Sequence, residues 1–418
     1  MTRFPRLRTI LGNTALVLVS VLVSLGIIEI TLRLRPTLLG QEFANGVLSR
    51  YTHNEGGIFY RDRNLRMKFM IPNMKTTMEY NGYTWTHEID ALGFRNGGLT
   101  PPADVVLLGD SFIYGHGVDF EGTVGHFLGE RTGWRVANLA RQADCAFQQA
   151  YLLHAYIGTF KPRHVVYFYF ENDVVDLDAY LNAKQMREFV DTPLAEIRYL
   201  DRVDTALALQ QREEKFRNRS IEWILRRRTY VGRAWKWLTA RPPRPYVPGP
   251  AVAEGAAVVP GPAGASGAAV TPGPAVAPGA VVVPAPAVAA EAAVTPGPAV
   301  TPGAAVAAGS TVVEDGTSLG WQYTRKAIAF MKHVAQREGA TLLVVPITYQ
   351  SPHHARLMRA ITRDLDLPFL DGAGLVPDPA NWLPRDGHFS PTGAQRMAEM
   401  VAAHLRDAAT TAAAPASR

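Results

Sequence analysis

A chain of 418 residues with a net charge of +6 has room for one large domain or two, and that charge alone names no partner. Its single cysteine, Cys145, excludes an internal disulfide framework and a multi-cysteine metal site, and reads as a small half-buried packing residue. Arginines are dispersed apart from Arg226-Arg227-Arg228, with no aromatic-interleaved basic groove or zinc spacing, which argues against nucleic acid as a partner.

Arg3, Arg6 and Arg8 precede a mostly apolar run from Ile10 to Ile28, close to the length a bilayer-spanning helix requires. Glu29, Arg33 and Arg35 close it. A cleaved signal peptide needs a small-x-small site just after the apolar core, whereas the candidate Ser24-Leu25-Gly26 lies inside it. Residues 1–35 are therefore read as a cytoplasmic flank and uncleaved transmembrane anchor, in preference to a signal peptide or a buried globular helix. The basic amino end predicts that the rest of the chain lies on the extracytoplasmic, periplasmic side, although Arg33 and Arg35 dilute that bias.

Residues 41–99 alternate polar and apolar positions around turn signals and predict a small β-rich lead-in. Its clearest feature is Asn81-Gly82 between Met78-Glu79-Tyr80 and Tyr83-Thr84-Trp85, a β-hairpin signal. Val105-Val106-Leu107-Leu108 then reads as a strand buried on both faces, as in a parallel sheet. It runs into Gly109-Asp110-Ser111 and a glycine-rich turn, so Ser111 leaves the carboxyl end of a buried strand, where open α/β sheets hold their ligands. The alternative is a tight turn in which Ser111 only caps the next helix.

The pattern continues with a helix over Gly122–Thr132, a strand over Arg135–Leu139, a helix over Ala140–Phe160 and a strand over His164–Phe170 ending in Glu171-Asn172-Asp173. This βαβαβ run predicts a parallel sheet with helices on both faces. Residues 179–245 depart from it as a helical insert. Within that insert, Ser220–Thr239 mixes tryptophans with arginines: either a helix packing on the domain, which is preferred, or a basic amphipathic helix on an anionic membrane. Residues 246–312 are a low-complexity Ala/Val/Pro/Gly tract, predicted to be a disordered insert. Alternation resumes with a helix over Leu319–Glu338, a strand over Thr341–Ile347, a helix over His353–Leu365, a short strand Pro368–Leu370 and a terminal helix Pro391–Leu405. Residues 409–418 read as a frayed tail. The sheet domain thus comprises residues 100–178 and 319–408.

An activated serine needs a base, an orienter for that base and oxyanion donors. Of 11 histidines, His388 stands out in Arg385-Asp386-Gly387-His388, because Asp386 two residues earlier lies on the same side of an extended segment. Its bland reading is a turn before a helix capped by Ser390 or Thr392.

Together these residues resemble the SGNH/GDSL hydrolase superfamily. Gly109-Asp110-Ser111 with Gly115-His116-Gly117-Val118 is similar to its first block, and Asn138-Leu139-Ala140 through Gln148 to its second. Glu171-Asn172-Asp173 is similar to the third block and Asp386-Gly387-His388 to the last. The Asp-x-His spacing, the anchor and Leu92-Gly93-Phe94-Arg95 look like membrane-anchored bacterial members; the spacing is similar to that of the alginate O-acetylation branch, where the pair precedes the serine. The resemblance implies a three-layer α/β/α, flavodoxin-like fold and ester chemistry through an acyl-serine, with no cofactor or metal. Ser111 would be nucleophile, His388 base and Asp386 orienter. The Ser111 and Ala143 N–H groups and the Asn172 amide would form the oxyanion hole, Ala143 standing where the family has glycine. Expected substrates are acetyl esters of a cell-surface glycan. O-acetyl transfer to an exported polysaccharide is the alternative, with a polysaccharide-export or acetyl-donor membrane partner, and an inactive glycan-binding or export-complex protein is the third.

Overall fold

The computed structural model describes residues 5–49, 57–62, 64–65, 67–217, 225, 229–239, 318–347, 352–375 and 377–413. The chain enters through α1 (Pro5–Leu34), whose segment Gly12–Leu34 is 23 residues, long and apolar enough to cross a membrane. A 3-10 turn (Pro36–Leu39) leads to α2 (Gln41–Leu48). Two antiparallel pairs follow, β1 (Phe59–Arg61) with β2 (Lys68–Met70) and β3 (Lys75–Tyr80) with β4 (Tyr83–Glu88). The β3–β4 hairpin turns through Asn81 and Gly82 at φ 49° and 75°, the positive values that a two-residue type I′ turn demands.

The sheet domain begins with β5 (Val105–Leu108), α3 (Ser111–Tyr114), α4 (Val124–Thr132), β6 (Val136–Asn138), α5 (Ala146–Phe160) and β7 (His164–Phe170). Between its halves run α6 (Asn172–Val175), α7 (Leu177–Tyr180), α8 (Ala183–Asp191), α9 (Thr205–Arg217) and α10 (Tyr230–Thr239). It closes with α11 (Leu319–Arg337), β8 (Thr341–Ile347), α12 (Pro352–Asp364) and α13 (Pro391–Ala413).

Four parallel strands lie in the order β6-β5-β7-β8. Because strand side chains alternate between faces, Val106, Leu108, Tyr167 and Val344 pack against Leu152 of α5 and Ile328 of α11. Val105, Leu107, Phe168 and Val345 pack against Leu128 of α4 and Met397 and Val401 of α13 on the other side. Every side chain of β5 is buried, as its apolar run requires. The result is a three-layer α/β/α fold. The chain leaves β5 for β6 on one side and returns to β7 on the other, so the strand order reverses between β5 and β7. Ligands in open α/β sheets bind at the carboxyl ends beside such a reversal.

Several elements differ from the sequence pattern for local reasons. The helix expected from Ala140 starts at Ala146, because Asn138 Oδ1 accepts the Ala140 N–H, Arg141 pairs with Asp144, and Ala143 adopts a left-handed φ of 57°. Cys145 is fully buried rather than half-buried, with Sγ 3.0 Å from Gln148 Oε1. The helix expected from Gly122 begins with a 3-10 turn at Phe120–Gly122, after which Thr123 caps α4. The expected strand Pro368–Leu370 contributes one parallel bridge, Phe369 to Val344, since Pro368 has no N–H to give a ladder.

Within Ser220–Thr239 the described helix α10 packs beside the end of α1 instead of the sheet. Ala234 is buried with Leu32 and Phe43, Glu29 Oε2 accepts the Val231 N–H at 2.9 Å, and Trp235 and Leu238 stand exposed. Arg226-Arg227-Arg228, the tract 246–312 and residues 414–418 lie outside the described residues.

One buried cation joins the lead-in to the sheet. Arg95 donates to the carbonyls of Gly115, Val118 and Thr86, each at 2.8 Å, and lies 3.3 Å from that of Tyr114. Lysine is a point charge and cannot reproduce that fork. Arg95→Lys is expected to cost about 2–4 kcal/mol by leaving buried carbonyls unpaired, read as a fall in thermal midpoint. A midpoint within a degree or two of the parent would contradict this role.

Candidate active site

Ser111 follows β5 directly and forms the first residue of α3. Asp110, not Ser111, caps this helix: its Oδ1 accepts the Phe112 N–H at 3.0 Å. The capping alternative for Ser111 is thereby taken up by its neighbour, and the Ser111 hydroxyl turns elsewhere. Its Oγ lies 2.7 Å from His388 Nε2, across 277 residues of sequence. His388 Nδ1 makes a short hydrogen bond to Asp386 Oδ1. The geometry assigns a proton to Nδ1, donated to the carboxylate, and leaves Nε2 free to accept the serine proton.

The loop that presents this pair is built tightly. The N–H groups of Asp386 and Gly387 both donate to the Leu383 carbonyl, at 3.0 and 2.9 Å, and Gly387 takes a φ of 81°. Gly117 lets the loop approach the turn after α3: a Cβ there would stand 2.4 Å from Leu383 Cδ1. Phe112 flanks the site, its ring centroid 4.7 Å from that of His388 and 4.3 Å from that of Phe170.

Electrostatics divide the site in two. Burial alone would raise the Asp386 carboxyl, but His388 and His116, by charge and hydrogen bonding, outweigh it and hold the group well below the usual carboxylate range. Burial pushes His116 down to about 4, with the neighbouring His388 adding to the effect. On the other side of Ser111, burial pushes Asp110 up to about 6, and Asp173 is raised well above its ordinary value by burial and by the charge of Asp110. Asp110 Oδ2 and Asp173 Oδ1 are buried without a hydrogen-bond partner, so two carboxyl groups crowd here with few donors between them.

Of the expected oxyanion donors, Ser111 lies in the first turn of α3, where backbone N–H groups have no intrahelical acceptor. Ala143 occupies the loop between β6 and α5 at φ 57°, a conformation that glycine adopts freely and alanine only at a cost. Asn172 opens α6 at the carboxyl end of β7, and its Nδ2 donates to Asp176 Oδ2 at 2.9 Å rather than into an open crevice. Asp176 is itself pushed up to about 6 by burial.

Two residues beside the triad were not given roles from sequence. His116 stacks on His388 with ring centroids 4.3 Å apart, and its Nε2 lies 3.4 Å from Asp386 Oδ2. Asn81 donates from Nδ2 to the same oxygen at 2.8 Å. His116 sits in the glycine-rich turn after the serine, so its position held a signal, whereas Asn81 carries only a turn signal. Among the described residues, His116, Asp386 and His388 also place donor atoms within 4.8 Å of one another. A metal ion bound by all three would compete with the His388–Asp386 and Ser111–His388 hydrogen bonds.

No protein-family model matches the chain, and no curated protein matches it. Among solved structures it is similar to TesA, at 11% identity and a TM-score of 0.32, over 72% of this chain and 98% of that one. It is also similar to a protein assigned to the G-D-S-L lipolytic family from Desulfitobacterium hafniense DCB-2, at 12% identity and a TM-score of 0.33, over the same shares. The α/β/α architecture described above rests on strand order and register, independently of these likenesses.

Two outcomes test the electrostatics and the strained loop. Asp110 has a folded-state value near 6, above its ordinary 3.8, so ionising it opposes folding. That cost is absent below the ordinary value and grows as pH rises through about 6. Asp110→Asn keeps an oxygen for the Phe112 N–H and removes the charge. It is expected to stabilise the protein by about 1–3 kcal/mol at pH 8 and by little at about pH 3 in thermal melts, the two pH values bracketing both pKa values. An equal effect at both would contradict the assignment. Ala143→Gly relieves about 1 kcal/mol of left-handed strain while freeing the unfolded chain by a similar amount, so melting should barely move. A loss of several degrees would show that the Ala143 methyl is a packing contact.

Proposed function

We propose that this protein is a serine ester hydrolase of the SGNH/GDSL type, and the observation that carries the reading is the hydrogen-bonded chain Ser111–His388–Asp386. In this mechanism His388 Nε2 removes the proton as Ser111 Oγ attacks the acyl carbonyl. Asp386 holds the imidazole tautomer and offsets the charge that develops on the ring. The carbonyl oxygen becomes an oxyanion, met by the N–H groups of Ser111 and Ala143. A donor of this kind contributes about 10²–10³ in rate. The Asn172 amide joins them once it turns from Asp176. His388 then gives its proton to the leaving alcohol, and the ester bond breaks to leave an acyl-serine. Water, activated by the same nitrogen, releases the acid.

The substrate class we infer is an acyl, chiefly acetyl, ester of a cell-surface glycan. Supporting it is α1, a segment long and apolar enough to anchor the chain beside a membrane, and we infer from the basic amino end a sheet domain on the periplasmic side. α10 fits the same picture, since Trp235 and Leu238 lie exposed next to the end of the anchor. In this setting the partner is a polysaccharide-export or acetyl-donor membrane protein.

Turnover of an activated acetyl ester by the full chain in detergent tests the reading. Acetate release should fall by at least about 10³-fold in Ser111→Ala, leaving only what the oxyanion donors supply. Turnover unaffected by Ser111→Ala would remove the nucleophile and the mechanism with it. Adding an acceptor oligosaccharide addresses the substrate: a hydrolase keeps making acetate. Ser111-dependent acetyl-oligosaccharide, seen as a mass shift, would make the protein an O-acetyltransferase instead.

A further inference from the structure

Asp386 has two carboxylate oxygens, and the triad uses one. The other, Oδ2, accepts from Asn81 Nδ2 at 2.8 Å, across 305 residues of sequence and in a buried setting. Asn81 is in turn held by Asn45 of α2 at two points. Asn45 Nδ2 donates to Asn81 Oδ1 at 2.6 Å, and the Asn81 backbone N–H donates to Asn45 Oδ1 at 2.8 Å. α2 follows the apolar helix α1 after one 3-10 turn, and Phe43 of α2 packs with Leu32 of α1 and Ala234 of α10. An unbroken series of hydrogen bonds therefore runs from the helix beside the anchor to the nucleophile: Asn45, Asn81, Asp386, His388, Ser111.

We propose that Asn81 is a positioning residue for Asp386, and that Asn45 sets Asn81, so that the anchor-proximal helix fixes the orientation of the His388–Asp386 pair. The inference rests on the serine-hydrolase reading and adds to it a source of order outside the sheet domain. Three observations support it. The amide fills a lone-pair site on a buried carboxylate that would otherwise be costly to leave without a donor. The hairpin turn is docked on the catalytic loop by further contacts: Arg385 lies over the Tyr83 ring at 5.1 Å, and its Nη2 is 3.4 Å from the Gly82 carbonyl. Lastly, Asn81 donates without titrating, so it supplies the contact at every pH at which His388 works.

The turn and the donor can be separated by substitution. The left-handed φ of Asn81 suits asparagine, aspartate and glycine alike. Asn81→Gly keeps the turn and deletes the donor. Asn81→Asp keeps the turn and the shape but sets a carboxyl against Asp386. Two carboxyls in contact share a proton, so the new group donates when protonated and repels when not. The charged or titratable groups around this point are His116 and His388, Tyr80 at the end of β3, Arg385 of the catalytic loop and Glu42 of α2.

The experiment measures activated-ester turnover by the full chain in detergent from pH 6 to pH 9, with the thermal midpoint of each variant. Asn81→Gly should lose about tenfold or more at all pH values, since small displacements of a catalytic pair are costly. Asn81→Asp should lose more at pH 9 than at pH 6, because protonation restores the donor. Asn45→Ala should show a smaller, pH-independent loss. A deficit in Asn81→Asp that is equal at every pH, or an Asn81→Gly variant as active as the parent, overturns the proposal. A second readout needs no turnover: the downfield proton resonance of His388 Nδ1–H should shift or broaden in Asn81→Gly and reappear in Asn81→Asp at low pH. A parent without Ser111-dependent turnover would sink the hydrolase reading, whereas a resonance unmoved by Asn81→Gly would sink the positioning role even in an active enzyme.

Discussion

A carboxylate buried against two histidines is the constraint from which the rest of the site follows. Taking Asp386 out of water would protonate it unless donors face both of its oxygens. His388 Nδ1 serves one oxygen, while the Asn81 amide and the nearby His116 ring face the other. Each of those donors comes from a different part of the chain: the loop before α13, the lead-in hairpin, and the turn after α3. The lead-in is therefore joined to the Ser111–His388–Asp386 cluster and is more than a spacer between α1 and the sheet. Arg95 reinforces the same joint by binding β4 to the turn that carries His116.

The opposite flank of Ser111 is organised by the reverse condition. Asp110 and Asp173 are buried with oxygens that have no donor, and both are pushed toward the neutral form. The site thus holds Asp386 toward its ionised form and pushes Asp110 and Asp173 toward their neutral forms. Such division of carboxyl groups by environment, one held ionised and another held neutral, is a recurrent means of assigning roles to like residues.

Much of this was legible in the sequence because it depends on period and punctuation. The buried run Val105–Leu108, the βαβαβ alternation and the Asn81-Gly82 turn carry their own signals, and the strand order and hairpin follow them. The pairing of Ser111 with His388 was inferred from residue type and motif, and the fold brings the two side chains together. Less legible were features fixed by tertiary contacts. Nothing local distinguishes Asn81 as a partner of Asp386 from an asparagine chosen for its positive φ. The delayed start of α5 depends on side chains of Asn138, Arg141 and Asp144 that compete with a helical register. Asn172 was placed at the correct strand end, but its engagement with Asp176 depends on a carboxyl four residues on whose burial the pattern does not reveal.

The central claim is that Ser111 is a nucleophile made reactive by His388. Its most direct test is covalent trapping: the full chain in detergent is treated with a fluorophosphonate, and the modified residue is located by peptide mass spectrometry. The account predicts one phosphonyl group, on Ser111, with labelling lost in His388→Ala although the serine is still present. Labelling at another residue, or labelling of Ser111 that persists at the parent rate without His388, would contradict it.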